Sequence, residues 1–250
     1  MTEKNIVPYY HILIRYKIYF KNIKILAMKS QKKQIMIVDD HPIVRQGLKL
    51  IIEDENDLEI CGETGNANDA IRMIGQLNPD IVLVDITLEG NVNGLDLVKS
   101  MNKRYPSINA LVMSMHDDKI YAERAIMAGA SGYIMKSEVE DNIINAIRNV
   151  LNNQLYLRSE ASLEIVSKVL HGTSDHSNES RSSLDRLTDR EFEILRLLGK
   201  GLGTRKIANE LNLSVNTVET HRRHIRKKLN LRDSDELVSY AIQWYIDSQK

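Results

Sequence analysis

The sequence holds one cysteine, Cys61, in 250 residues, so no disulfide can form within the chain. A single thiol fits a reducing compartment, and its place in an apolar run makes it a small core residue rather than a reactive group. No window of 18 apolar residues occurs, so no membrane-spanning helix is expected. Neither sign of charge is in excess, because 34 basic residues balance 34 acidic ones. That balance conceals an asymmetry. Residues 1–33 carry eight basic residues against one acidic, 34–157 carry ten against nineteen, and 181–250 carry fourteen against ten. An acidic body followed by a basic C-terminal region points to different partners at the two ends.

The stretch HILIRYKIYFKNIKIL (11–26) alternates apolar side chains with Arg15 and Lys17. It lacks the apolar core and small-residue cleavage site of a signal peptide. Met28 stands just before the first clean strand pattern, and residues 1–33 are expected to be an unstructured or artefactual extension.

From Gln34 the pattern is regular. IMIV (35–38), LEICGE (58–63), DIVLVD (80–85), INALVMS (108–114) and SGYIMK (131–136) read as strands. Helical patterns follow each of them. The first opens at Pro42, with Ile43, Val44, Leu48, Ile51 and Ile52 assigned to its inner side. The others cover 66–77, 94–105, 119–127 and 139–151. Five strands alternating with five helices predict an α/β, doubly wound, five-stranded parallel sheet, whose ligands bind at the carboxyl ends of the strands. A linker helix is expected at 159–170, then a polar tether at 171–183 (HGTSDHSNESRSS). Four short helical patterns and no strand pattern close the chain, so the second domain is predicted to be all-α.

Chemistry-bearing residues stand at the predicted strand ends. Asp39 and Asp40 end the first strand, Asp85 the third, Ser114 the fourth and Lys136 the fifth. An Asp-Asp pair alone is usually a solvated loop, and a lone lysine a surface residue. Four of five strand ends with complementary groups are another matter. Three carboxylates brought together are costly to bury without a cation, and Mg²⁺ is the hard, oxygen-seeking ion that resolves this. A carboxylate beside such an ion and a lysine can act as a nucleophile toward phosphorus.

VDDHPIVRQGL, PDIVLVDI, MSMHDD and GASGYIMKS, in this order and spacing, make residues 34–152 resemble the receiver domain of two-component response regulators. The resemblance implies that Asp85 accepts a phosphoryl group from a sensor histidine kinase. It implies that Asp40, Asp85 and the Thr87 carbonyl ligate Mg²⁺, with Asp39 acting through water. Ser114 and Tyr133 become the switch residues, and Lys136 the phosphoryl contact. One departure stands out. The family usually has a proline shortly after the acceptor and a glycine eight residues on, whereas DITLEGNVNG has no proline and places Gly94 nine residues after Asp85.

In the C-terminal region, LTDREFEILRLL (187–198) carries a capping box, Thr188 with Glu191, and a hydrophobic staple, Leu187 with Phe192. TRKIANELNLSVNTVETHRR (204–223) has the spacing of a helix-turn-helix, with Asn212 suited to a left-handed turn and Ser214 to an N-cap. Val215, Val218, Ile225 and Leu229 are assigned to the inner stripe of its second helix. Six cations from Arg222 to Arg232 precede the next acid, Asp233. A basic helix alone reads as a solvated face or a membrane surface, but the capped two-helix arrangement favours double-stranded DNA. Lys206, Arg226 and Lys227 are candidates for phosphates. Thr220 and Arg223 are candidates for base edges, with Asn216 and Thr217 beside them on the same outer face.

Residues 184–250 resemble the LuxR-type helix-turn-helix, and the whole chain resembles a response regulator of the NarL/FixJ type. This implies a transcription regulator that binds promoter DNA and is a homodimer when phosphorylated, with RNA polymerase open as a further partner. It also implies a cytoplasmic protein without a membrane partner, in four parts: 1–33, a receiver at 34–152, a linker at 153–183 and a DNA-binding domain at 184–250. The receiver of such proteins is expected to cover the recognition helix until released, and the last helix, from Ser234, to form the dimer contact. Three other readings stand beside it. A small-molecule phosphatase or phosphotransferase leaves the helix-turn-helix unexplained; a receiver that signals by protein contact has its basic domain bind something else; and a third reading is a regulator that binds DNA regardless of phosphorylation.

Overall fold

The computed structural model describes residues 32–88, 92–115, 119–157 and 183–248. The expected extension lies almost wholly outside them, as do the linker helix and most of the tether. The first domain alternates β1 (Lys33–Val38), α1 (Pro42–Glu53), β2 (Leu58–Thr64), α2 (Ala67–Leu77), β3 (Ile81–Asp85), α3 (Gly94–Arg104), β4 (Asn109–Ser114), α4 (Lys119–Met127), β5 (Gly132–Met135) and α5 (Val139–Leu151). All pairings are parallel, in the order β2-β1-β3-β4-β5. Sequence and structure agree on every one of these elements to within a residue or two.

Alternation along each strand builds two cores. Ile35, Ile37, Leu83, Leu111 and Met113 face α1 and α5, while Met36, Val38, Val82, Val84 and Val112 face α2, α3 and α4. Strands buried on both faces must be apolar throughout, which is why they read as continuous runs. One assignment fails in α1. Ile43 is 79% exposed, whereas Leu48 and Ile52 are buried. It occupies the first turn of the helix, ahead of the residues that pack on the sheet.

The second domain consists of α6 (Asp189–Gly199), α7 (Thr204–Glu210), α8 (Val215–Leu229) and α9 (Ser234–Ser248). The Thr188–Glu191 capping box forms, and Ser214 caps α8 by accepting from Thr217 N. Asn212 adopts φ 49°, the left-handed turn conformation expected of it. Val218 and Ile225 are buried, but Val215 is 43% exposed, a correction to the predicted inner stripe. As the first residue of α8, it precedes the turn that packs on the domain.

Every residue of α6 is buried, its charged ones included. The side of the helix away from its own domain meets α3 and α4. Arg124 donates to the carbonyls of Leu184 (2.7 Å) and Leu187 (3.2 Å) and to Asp189 (2.9 Å). Its guanidinium lies 4.3 Å from the centroid of the Phe192 ring. Lys99 reaches Asp189 at 2.5 Å. Phe192 meets Tyr121 edge-on at 5.2 Å and Trp244 of α9 at 5.3 Å. One continuous apolar core therefore runs from the sheet through α4 and α6 to α9.

Candidate functional site

In the strand order 2-1-3-4-5 the chain direction reverses between β1 and β3, which opens a crevice at their carboxyl ends. Asp39 and Asp40 follow β1 and Asp85 ends β3, so the topology brings the acids into that crevice. Lys136 follows β5 and lies between two of them, with Nζ 2.7 Å from Asp39 Oδ2 and 2.8 Å from Asp85 Oδ2. The remaining oxygen of Asp85 accepts from Thr87 N at 3.3 Å. Ser114 ends β4 and is buried; its neighbour Met113 stands in register with Asp85.

One lysine shared by two buried carboxylates leaves the site acidic. Burial pushes the pKa of Asp85 up to about 7; Lys136 opposes this and Asp39 adds to it. Burial also works against the Lys136 ammonium, but Asp85 and Asp39 outweigh it and hold its pKa above the usual value. Oxygens of Asp39, Asp40 and Asp85 and a nitrogen of His41 all lie within 4.8 Å of one another. The three carboxylates match the oxygen donors that Mg²⁺ takes. The sequence reading omitted His41, which sits 2.6 Å from Asp40 Oδ1 through Nδ1. Its adjacency to the Asp-Asp pair was the only available signal.

Gly94 lies against the backbone of the acceptor strand. Its N–H donates to the Ile86 carbonyl at 2.8 Å, and a Cβ there would lie 1.9 Å from the Asp85 carbonyl oxygen. Only glycine permits this approach. Tyr133, the expected switch aromatic, is buried on β5, so its ring already lies inside the domain.

A second surface is formed by α7 and α8. Asn216, Arg223, Lys227 and Lys206 are exposed, while Thr217, Thr220 and Arg226 are half-buried. The Thr220 hydroxyl donates to the Asn216 carbonyl at 2.9 Å, and the Thr217 hydroxyl pairs with Ser214. Glu219 accepts from Thr204 at 2.7 Å and from Arg222 at 3.2 Å, which holds α7 against α8. Among the described residues the receiver meets α6 and leaves Lys206, Asn216, Arg223 and Lys227 exposed, in place of the expected masking of the recognition helix.

Residues 35–148 match the response regulator receiver domain, and residues 185–241 match the LuxR family of bacterial regulatory proteins. The oxygen regulatory protein NreC of Staphylococcus carnosus (strain TM300) is 32% identical over 210 residues, 84% of this chain and 97% of that protein. The chain belongs to the LuxR-family response regulators. A LuxR-family response regulator from Aurantimonas sp. SI85-9A1 has 31% identity and a TM-score of 0.51, over 56% of this chain and 99% of that one. RcsB of Salmonella typhimurium, at 21% identity, shares the fold with a TM-score of 0.57 over 85% of this chain and 98% of that one. The RcsB of Salmonella enterica serovar Typhimurium has been solved bound to the promoter rprA, at 22% identity and a TM-score of 0.54 over 84% of this chain and 98% of that one. As a response regulator of this family, the chain is a transcription regulator of a two-component system and not a small-molecule enzyme. Among the described residues, no helix is long and apolar enough to cross a membrane.

Proposed function

We propose that Asp85 is the phosphoryl acceptor, charged by a sensor histidine kinase. The observation that carries this is the Lys136 ammonium shared between Asp85 and Asp39 at the switch point of the sheet. Asp85 attacks phosphorus through a carboxylate oxygen, and the donor leaves with the bonding pair. Lys136 neutralises charge on the transferred group, and Ser114 supplies a hydroxyl to one of its oxygens. Asp40, Asp85 and the Thr87 carbonyl hold Mg²⁺, with Asp39 behind them; the ion supplies further charge neutralisation. Incubation with radiolabelled acetyl phosphate and Mg²⁺ is expected to label the protein, and Asp85→Asn to abolish labelling. Label retained in Asp85→Asn overturns the assignment.

The second half of the proposal concerns promoter DNA. Helix α8 enters the major groove, where Arg223 reads base edges with Asn216, Thr217 and Thr220 beside it. Lys206, Arg226 and Lys227 hold phosphates. The proposed domain limits are 34–152 and 184–250, joined by 153–183; of the proposed extension 1–33, Lys33 already belongs to β1 and pairs with Asp80. A cytoplasmic location and contact with RNA polymerase belong to the same reading.

Signal passes through α6. Thr87 lies two residues past Asp85 and is among the groups that lower the pKa of buried Glu193 on α6. A phosphoryl group of about −1.5 to −2 charge at Asp85 disturbs this neighbourhood first. Because the α8 surface is exposed while the receiver is docked, phosphorylation acts by freeing a dimer-forming arrangement rather than by uncovering α8. Ile242 and Ile246 remain exposed on α9 for that dimer. Two half-site contacts then gain from effective concentration. DNA selection from a random pool, with and without a phosphoryl donor, tests the reading. Enrichment of a paired half-site by the phosphorylated chain alone is expected.

A further inference from the structure

We propose that Glu191, His221 and His224 form a binding site for a divalent transition-metal ion of the zinc type. The site lies between the start of α6 and the recognition helix α8, away from Asp85. His221 and His224 are three residues apart on α8, so their rings stand on one face of the helix. Glu191 lies opposite, in the first turn of α6. One ligand atom from each of the three lies within 4.8 Å of the others.

Each residue is prepared for the task. The Glu191 carboxylate is almost fully buried, and Lys228 and the Thr188 N–H hold its Oε2 at 2.6 and 2.8 Å. Its Oε1 faces His224 Nδ1 at 3.8 Å. His221 Nδ1 is buried and has no hydrogen-bond partner. A buried imidazole nitrogen without a partner is an exception among folded proteins, and a bound ion is one of its ordinary explanations. Burial pushes the His221 pKa down, and Arg190, His224 and Lys228 act in the same sense against Glu191.

Two imidazoles and one carboxylate suit zinc and its neighbours in the transition series, whereas Mg²⁺ prefers the all-oxygen cluster around Asp85. In a tetrahedral zinc site ligand atoms stand about 3.4 Å apart, given Zn–N distances of ~2.0–2.1 Å. The His224 side chain is half exposed, so a small rotation closes the remaining gap. Three protein ligands leave a fourth position for water, the arrangement of an exchangeable rather than a sealed site. An ion there ties α8 to α6, the helix that also contacts the receiver.

The test is titration of the full chain, free of any histidine tag, with Co²⁺ in a millimolar excess of Mg²⁺, followed by visible absorption. One equivalent of Co²⁺ is expected to give the ligand-field bands of a nitrogen-containing site, and Zn²⁺ to displace it. Exposed His224 is replaced without disturbing the core, so His224→Ala and His224→Gln are the variants, each checked for an unchanged melting temperature without metal. Both are expected to weaken Co²⁺ binding by roughly tenfold or more. No binding by the parent chain, or equal binding by all three proteins, overturns the proposal. Neither outcome bears on DNA recognition, which is measured separately.

Discussion

Thr87, two residues beyond Asp85, lies near enough to Glu193 of α6 to offset part of the rise that burial gives that residue's pKa. The segment that follows the acceptor thus lies beside the first helix of the DNA-binding domain, which Lys99 and Arg124 of the receiver also hold. Glu193 is buried, which raises its pKa against the pull of Arg190, 2.6 Å away. The signal proposed to start at Asp85 therefore has a route to α6 beside the tether, through α3 and α4, which carry Lys99 and Arg124.

The clasp around α6 depends on Arg124. Its three hydrogen bonds link α4 to Leu184, Leu187 and Asp189. Charge-assisted bonds of this kind contribute about 1.5–3 kcal/mol each when intact. Arg124→Ala is expected to undock the domains, with a larger radius of gyration by small-angle X-ray scattering and undiminished labelling of Asp85. An unchanged radius of gyration would show that the apolar contacts suffice alone.

Stability should depend on pH and Mg²⁺ together. The folded-state pKa of Asp85, about 7, lies above its ordinary carboxylate value. Between about pH 4 and that value the folded chain holds a proton that the unfolded chain has lost, so this group's contribution to stability falls as pH rises. The proposed Mg²⁺ would bind the ionised form and compensate. The rise in melting temperature on replacing EDTA with Mg²⁺ is expected to be small at pH 5 and larger at pH 8. An equal rise at both would remove Asp85 from the cation site.

On DNA, Arg223→Ala is expected to relax base preference at a cost of roughly 1–3 kcal/mol. Lys227→Ala is expected to weaken all sequences alike and to flatten the salt dependence by about one unit of slope. Binding isotherms at low and high salt distinguish the two. Affinity untouched by either change would take α8 out of the groove.

Gly94→Ala tests the close approach beside the acceptor. Its Cβ would meet the Asp85 carbonyl oxygen at 1.9 Å, and backbone cannot move aside as a flexible side chain can. Loss of phosphoryl labelling together with a lower melting temperature is expected, and wild-type values for both would contradict the geometry.

The receiver was largely legible because its signals are local. Runs such as DIVLVD have no alternative to a strand buried on both faces, and strand ends locate Asp39, Asp85 and Lys136 once the topology is known. First-turn residues were less legible: Ile43 and Val215 fit the helical period but lie beyond the surface that covers the rest of each helix. The role of α6 left no local trace. Apart from the capping box at Glu191, nothing in the sequence marked Asp189, Arg190, Glu193 and Arg196 as buried, yet all are. Arg124 and Lys99, which meet Asp189, are sixty-five and ninety residues away. No period or spacing encodes such pairs.

A helix with no exposed residue also limits how this sequence can vary. Phe192 touches Tyr121 and Arg124 on one side and Trp244 on the other, so a change of its size is felt in both domains. Residues in contact do not contribute independently, and an aromatic pair of this geometry is coupled by about 0.5–1.5 kcal/mol. Substitutions at 121 and 192 are therefore expected to be epistatic. A variant tolerated at one position depends on which residue occupies the other, and the two domains cannot drift apart in sequence along this seam.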